Sequence, residues 1–208
     1  MHVKMLNFLI LIIFMLFMTS CSKGSNIGGV SNDGIITNSK LTDREKQLMN
    51  GIGADKLFIF DVNIKNVNIN WVEVWLDYYE KGELKSKITG VGTQVRPSNE
   101  NLGFLMLSKQ SSSANKKEEK WIVSYNSKAS GGTGSTTVTK PKINLTSVSM
   151  PSERNQIVID KVINLAVIEE GDNVTGVSEE IFNNTNSYIE KASKANGIYI
   201  LRCKFIRK

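Results

Sequence analysis

The feature that most constrains the fold is an alternation of apolar and polar residues with a period of two, which begins near residue 56. Successive side chains of a strand point to opposite sides, whereas a helical face repeats every 3.6 residues. In residues 71–80 the alternation separates an apolar face from a face on which aromatic residues alternate with acids. The apolar face consists of Val72, Val74, Leu76 and Tyr78. Similar short segments recur, separated by turn residues. The pattern predicts a mainly β fold, either an antiparallel β-sandwich or a curled sheet, with one or two short helices.

The predicted strands and helices can be placed along the chain. The strands cover residues 57–64, 68–80, 84–88, 102–108, 120–126, 136–140, 144–150, 156–169 and 198–206, with 156–169 read as one bent strand or two short ones. Lys81-Gly82 predicts a tight hairpin turn, and residues 127–135 predict a flexible Gly/Ser loop. Thr42-Asp-Arg-Glu45 is a capping box, which predicts a helix from Asp43 to about Asn50. A second helix is predicted to begin at Ser178 or Ser187 and to end at Gly197.

The N-terminus has the features of an export signal. Lys4 supplies a positive charge, and an unbroken apolar run follows from Phe8 to Met18. Eleven apolar residues are too few for a helix to cross a bilayer, which needs about 20. Residues 1–20 are therefore predicted to be a cleaved signal peptide.

The signal ends in Met18-Thr19-Ser20-Cys21, which resembles the lipobox of bacterial prolipoproteins. Met18 stands where that class usually has Leu, Val or Ile. The resemblance implies a diacylglycerol on the Cys21 sulfur and cleavage between Ser20 and Cys21. It also implies that the protein is lipid-anchored to the cell membrane on its extracytoplasmic face. The richness in Ile, Asn and Lys indicates an AT-rich, Gram-positive bacterial genome.

The rest of the chain divides into two parts. Residues 21–40 are rich in Gly, Ser and Asn, which predicts a flexible tether between the lipid and the domain. Residues 41–208 have the length of a single β-rich domain.

Charge and composition exclude several classes of function. The net charge is +6, and the basic residues are interspersed with acids, so no nucleic-acid partner is predicted. The excess of basic residues has two interpretations: a solvated surface, or an affinity for an anionic membrane or cell wall. The only cysteines are Cys21 and Cys203, so a lipidated Cys21 leaves no disulfide. Cys203 falls in an apolar phase and is predicted to be buried.

Catalytic residues are not evident in the mature chain. The single histidine of the full sequence, His2, lies in the predicted signal, so the mature chain is predicted to have neither Ser-His-Asp or Cys-His catalysis nor histidine metal ligands. Glu73 and Asp77 on one strand are about 13 Å apart, farther than the ~5–9.5 Å of a glycosidase pair. The calcium-loop pattern that begins at Asp61 and the glycine-rich stretch from Ser130 to Ser135 both lack essential positions. No catalytic residue, metal ligand or cofactor is predicted.

The remaining candidate site is an aromatic row, Trp71, Trp75 and Tyr79. If exposed, these rings form a binding face that stacks on sugars or grips a peptide; if covered, they belong to the core. The sequence predicts a non-enzymatic surface lipoprotein that binds a protein or an envelope component. Two alternatives remain open: an envelope hydrolase that uses carboxylates or Ser/Lys, and an accessory ligand-binding protein of a transporter.

Overall fold

The computed structural model describes residues 33–51, 53–95, 102–111, 118–139, 145–152, 154–171, 182 and 197–208. The elements in these ranges are β1 (Gly34–Asn38), α1 (Asp43–Gly51), β2 (Ala54–Ile64), β3 (Trp71–Glu80), β4 (Glu83–Gln94), β5 (Leu102–Ser111), β6 (Glu118–Ser127), β7 (Gly131–Thr139), β8 (Leu145–Ser149), β9 (Asn155–Ile157), β10 (Val162–Gly171) and β11 (Gly197–Ile206). The signal, Cys21 and nearly all of the predicted second helix lie outside the described residues.

The strands form two antiparallel sheets that pack face to face. Sheet A has the order β7-β6-β5-β2-β1-β9, and sheet B has the order β4-β3-β11-β10-β8. The predicted β-sandwich is confirmed. Residues 156–169 were predicted to form one bent strand or two short ones, and the structure has two, β9 in sheet A and β10 in sheet B, so the chain crosses between the sheets here.

The core consists of the inward residues of both sheets. Trp121, Phe60 and Leu105 of sheet A and Phe205 and Leu76 of sheet B are fully buried. Burial of one such side chain contributes about 1.5–3 kcal/mol, and no disulfide involves Cys203, which is buried and free. Its predicted burial is confirmed.

The predicted tether extends too far along the chain. Residues 34–38 form β1, which pairs with β2 and β9, and Ile36 is fully buried. Before it, the Asp33 carboxylate accepts hydrogen bonds from Asn66 Nδ2 at 2.7 Å and from Ile159 N at 2.9 Å. Composition did not indicate this strand, because Ile36 directly follows the apolar Ile35 and the five residues show no alternation of apolar and polar side chains.

The predicted Gly/Ser loop is also corrected. Residues 131–139 form β7, the edge strand of sheet A, which packs against β4, the edge strand of sheet B. A Cβ at Gly134 would overlap the carbonyl oxygen of Gly90. The glycines therefore permit a close approach of two strands, which closes one side of the sandwich.

The capping box and α1 are confirmed. Thr42 N and Thr42 Oγ1 each donate to Glu45 Oε2 at 2.7 Å, and Glu45 N donates to Thr42 Oγ1 at 3.3 Å. The backbone and side-chain hydrogen bonds from Thr42 lower the pKa of Glu45. None of the residues of α1 is buried, so the helix lies on the outside of the sandwich and is not part of its core.

The hairpin at Lys81-Gly82 is confirmed as well. Both residues have positive φ, 50° and 81°, as a two-residue turn between twisted strands requires.

Candidate functional site

The predicted aromatic row lies on the outer face of sheet B. Trp71, Trp75 and Tyr79 point away from the core, while Val72 and Leu76 of the same strand point into it. The three rings therefore do not belong to the core between the sheets. They differ from one another in exposure, because Trp71 and Trp75 are partly buried and Tyr79 is only 5% exposed.

Trp71 lies flat on the neighbouring strand. A Cβ at Gly92 would contact its ring at 2.9 Å, so the glycine makes room for the indole. Trp71 Nε1 donates to Glu73 Oε1 at 3.3 Å, and the ammonium of Lys208 lies 3.4 Å from the ring centroid. The ring is thus in contact with the backbone of β4 and with a cation.

Trp75 repeats this arrangement one step along β3. Its Nε1 donates to Asp77 Oδ2 at 2.9 Å, and Lys87 Nζ lies 4.9 Å from its ring centroid. Gly90 lies beneath it. A shallow trough of about 340 Å³ runs beside the ring, lined chiefly by Glu73, Lys87 and the β4 glycines.

Tyr79 belongs to a closed polar network around Arg202. Arg202 Nη1 donates to Asp77 Oδ2 at 2.7 Å and to the Tyr79 hydroxyl at 2.9 Å, and Nε donates to Asn164 Oδ1 at 3.0 Å. Arg202 and Asp77 are 8% and 4% exposed. A buried ion pair held by further hydrogen bonds orients its members. Tyr79 is therefore a structural residue here, and only Trp71 and Trp75 remain as parts of the predicted binding face.

A buried ionic cluster lies between the sheets at the end where α1 leads into β2. Lys109 Nζ lies 2.8 Å from Glu119 Oε2 and 2.6 Å from Glu170 Oε1. Trp121 Nε1 donates to Glu119 Oε1 at 3.0 Å, and the Tyr199 ring stacks on Trp121 with centroids 4.8 Å apart. Each carboxylate side chain is at most 3% exposed, so a substrate cannot reach this pair of acids.

The electrostatics of this cluster follow from burial. Burial disfavours the Lys109 ammonium, but the hydrogen bonds to Glu119 and Glu170 outweigh it and raise the pKa of Lys109. Burial, together with the charge of Glu170, raises the pKa of Tyr199. Both groups therefore keep their protons at neutral pH, and the cluster holds one cation between two anions.

A groove lies between α1 and the outer face of sheet A. It has a volume of about 420 Å³, within the ~300–1,000 Å³ range of ligand sites. Its lining is mostly apolar, with polar groups at the rim; the lining residues are Ser39, Lys40, Leu41, Glu45, Leu48, Met49, Ile59, Asp61, Phe104 and Met106. Leu48 and Phe104 beside it are 60% and 39% exposed. The site can enclose apolar groups and offers hydrogen bonds at its edge.

The remaining predicted site residues have simple structural positions. Asp61 lies in β2 and accepts a hydrogen bond from Ser39 Oγ. Burial raises the pKa of the Cys203 thiol, which makes it a poor nucleophile at neutral pH. In the described ranges no cluster of His, Cys, Asp or Glu is arranged to hold a metal ion. The described ranges also contain no helix that is long and apolar enough to cross a membrane.

Sequence reasoning missed the groove and the ionic cluster. Lys109 and Glu119 carried a usable signal, because each continues the inward phase of its strand, Lys109 after Leu107 and Glu119 before Trp121. A charged residue in an inward phase indicates a buried ion pair. The groove had no such signal, because it depends on where α1 lies relative to β5.

Comparison with known proteins identifies a family to which the chain belongs. Searches of curated proteins and of solved structures returned no match. The YgaN domain family matches residues 35–205, nearly the whole span from β1 to β11. The chain therefore belongs to the YgaN domain family.

Proposed function

We propose that the protein is a lipid-anchored, extracytoplasmic binding domain without catalytic activity, held to the membrane by a lipidated Cys21. The support for the anchor is the resemblance of Met18-Thr19-Ser20-Cys21 to a lipobox. Asp33 is the first residue of the domain that the structure describes, and the twelve residues 21 to 32 precede it. Fully extended, they span at most about 40 Å. The domain therefore acts close to the membrane surface.

The observation that carries the binding function is the groove under α1. A helix without buried residues covers an apolar cavity of about 420 Å³ that its own side chains do not fill. The occupant we infer is a peptide segment of a partner protein. Apolar side chains would enter between Leu48 and Phe104, and the peptide backbone would meet the polar rim at Ser39 and Asp61.

Site-specific cross-linking on intact cells tests this site. A photoreactive residue at position 48 or 104 is expected to capture the same protein species. The matched control is position 84, because Leu84 is similarly exposed, at 55%, on the other sheet. Phe104→Glu is expected to abolish capture from position 48. Capture of the same species from position 84, or no specific capture from positions 48 and 104, would refute the proposal.

The anchor has a separate test. Metabolic labelling with a fatty-acid analogue is expected to mark the wild-type chain and to leave a Cys21→Ala variant unmarked. Label retained in that variant would end the lipoprotein reading.

That the surface around Trp71 and Trp75 is a second contact area for a partner stays a prediction. Its trough beside Trp75 is open, but a ligand must displace Lys87 or Lys208 from the rings. Partner capture that persists in a folded Trp71→Ala, Trp75→Ala double mutant would exclude these rings from binding.

A further inference from the structure

The chain enters the sandwich at one end, here named the proximal end. The carboxylate of Asp33, the first described residue, accepts hydrogen bonds there from Asn66 of the β2–β3 loop and from Ile159 of the β9–β10 loop. The last residues lie at the same end, because Asn70 N donates to Ile206 O and Lys208 N donates to Asn70 Oδ1. The proximal end is therefore built from residues 65–70, 158–162 and 206–208.

The exposed charges of the described residues at the proximal end are mostly positive. Lys65, Lys161, Arg207 and Lys208 are exposed there. The acids of these segments are compensated: Asp160 lies 3.4 Å from Lys204, and neighbouring Asp33 is buried and hydrogen-bonded. Lys128 lies at the same end of sheet A, in the β6–β7 turn.

The opposite end of the sandwich is mixed in charge. The described acids near the ends of its strands and in α1 are Asp43, Glu45, Asp55, Glu80, Glu83 and Glu118, and its described cations include Lys40, Arg44, Lys46, Lys56, Lys81, Lys85 and Lys120. Several of these form local pairs, such as Lys46 with Asp43 and Lys85 with Glu83. Among the described residues, the excess of positive over negative charge is thus larger at the proximal end than at the opposite end.

Exposed apolar side chains accompany these cations. Val67, at the tip of the β2–β3 loop, is 67% exposed, and Val162, next to Lys161, is 51% exposed. Leu102, at the start of β5 on the same end of sheet A, is 59% exposed. Exposed apolar residues flanked by cations are typical of surfaces that rest in the headgroup region of an anionic bilayer.

We propose that the proximal end docks on an anionic phospholipid bilayer, with Lys65, Lys161 and Arg207 against the headgroups and Val67 and Val162 at the interface. The charge complementarity and the position of Asp33, twelve residues from Cys21, both favour this partner. The relevance of docking to the cell rests on the proposed lipid anchor, which would hold this end within about 40 Å of the membrane. Docking would fix the orientation of the domain and direct the α1 groove to the side.

Vesicle binding of the unlipidated mature chain, residues 21–208 with Cys21→Ser, tests the proposal. We expect it to float with phosphatidylcholine vesicles that contain phosphatidylglycerol and not with pure phosphatidylcholine vesicles, and to detach as salt is raised. Removing one cation near a bilayer weakens binding about fivefold, and reversing its charge weakens it at least as much. The triple variant Lys65→Glu, Lys161→Glu, Arg207→Glu is therefore expected to bind at least about a hundredfold more weakly.

The matched control is Arg44→Glu, Lys81→Glu, Lys120→Glu, which makes the same charge change at the opposite end and is expected to keep most of the affinity. Circular dichroism establishes that both variants are folded. Val67→Ser with Val162→Ser is expected to weaken binding severalfold without changing its salt dependence.

Three results would overturn docking: no binding of the wild type to anionic vesicles, an equal loss in both triple variants, or equal binding to a soluble polyanion such as heparin. The chain used for vesicle binding carries no lipid, so the two tests are independent. Acyl label retained in the Cys21→Ala variant would refute the anchor and leave the docking result unaffected. Labelling that depends on Cys21, together with no vesicle binding, would refute docking alone.

Discussion

Replacing Lys109 by Met should produce the largest loss of stability among single charge changes in the described chain. The ammonium lies 2.8 Å and 2.6 Å from two carboxylates, those of Glu119 and Glu170, and also 4.9 Å from the ring centroid of Trp121. Met keeps the apolar stem but leaves both acids buried without a cation. Removing one partner of a buried ion pair costs about 3–5 kcal/mol, or a factor of about 10²–10³ in the unfolding equilibrium.

The alkaline pH dependence of this variant distinguishes lost charge compensation from lost packing. Burial lowers the pKa of Lys109, but the hydrogen bonds to Glu119 and Glu170 outweigh it and raise that pKa above its ordinary value. The folded wild type therefore keeps a proton that the unfolded chain loses, and its stability falls as pH rises above about 10.4. Met carries no such proton, so the difference in stability between the variant and the wild type should narrow above that pH.

The assay is urea unfolding of the chain from residue 21 with Cys21→Ser, followed by the fluorescence of its three tryptophans, of which Trp121 lies in the cluster. The control is Lys85→Met, because Lys85 pairs with Glu83 on the surface and such pairs contribute little. A triple variant, Lys109→Met with Glu119→Gln and Glu170→Gln, should regain part of the loss. A loss below about 1 kcal/mol in Lys109→Met, or a loss that does not change with pH, would refute this view of the cluster.

Three further predictions concern the edge, the thiol and the helix. Gly134→Ala should lower the free energy of unfolding by about 1–3 kcal/mol, because the new methyl group overlaps the Gly90 carbonyl. Gly51→Ala is the control and should lose no stability, because nothing lies within 4 Å of its new methyl group. Equal melting temperatures of the two variants would contradict the close packing of β4 on β7. Burial raises the pKa of the Cys203 thiol, so the folded state keeps a proton that the unfolded state loses. The free energy of unfolding should therefore fall above about pH 8.5 by up to ~1.4 kcal/mol per pH unit. The Cys203→Val variant should lack this slope, and an identical slope in the variant would show that the thiol is not its source. Thr42→Ala should destabilise α1 locally by about 0.5–2 kcal/mol, seen as faster amide exchange in the helix with an unchanged global unfolding midpoint; unchanged exchange would show that the cap does not hold the helix.

The fold was largely predictable, because alternation and turn residues are local signals. The segment 71–80 and the final strand around Cys203 each have an inward phase that burial confirms, and Thr42 to Glu45 marked the start of α1. The errors fell where the local signal is weak or ambiguous. Gly131 to Gly134 looked like a loop, since the same glycines that favour flexibility also allow β7 to approach β4.

The candidate sites were less predictable, because they depend on neighbours distant in sequence. Trp71, Trp75 and Tyr79 share one face by their spacing, and the structure keeps them together. Which of them is open depends on Arg202, more than 120 residues away, which encloses Tyr79 and leaves Trp75 beside a trough. No pattern within β3 contains that information.

The sequence by itself determined the mainly β, antiparallel fold, the inward residues of most strands and the capped helix, because each follows from periodicity or short motifs. Only the tertiary structure decided that Lys109 is buried between Glu119 and Glu170, that α1 leaves a groove on sheet A, and that Lys65, Lys161 and Arg207 lie at the same end as Asp33. These features arise from the packing of strands that are far apart along the chain. Their distances and burial exist only after the two sheets have come together.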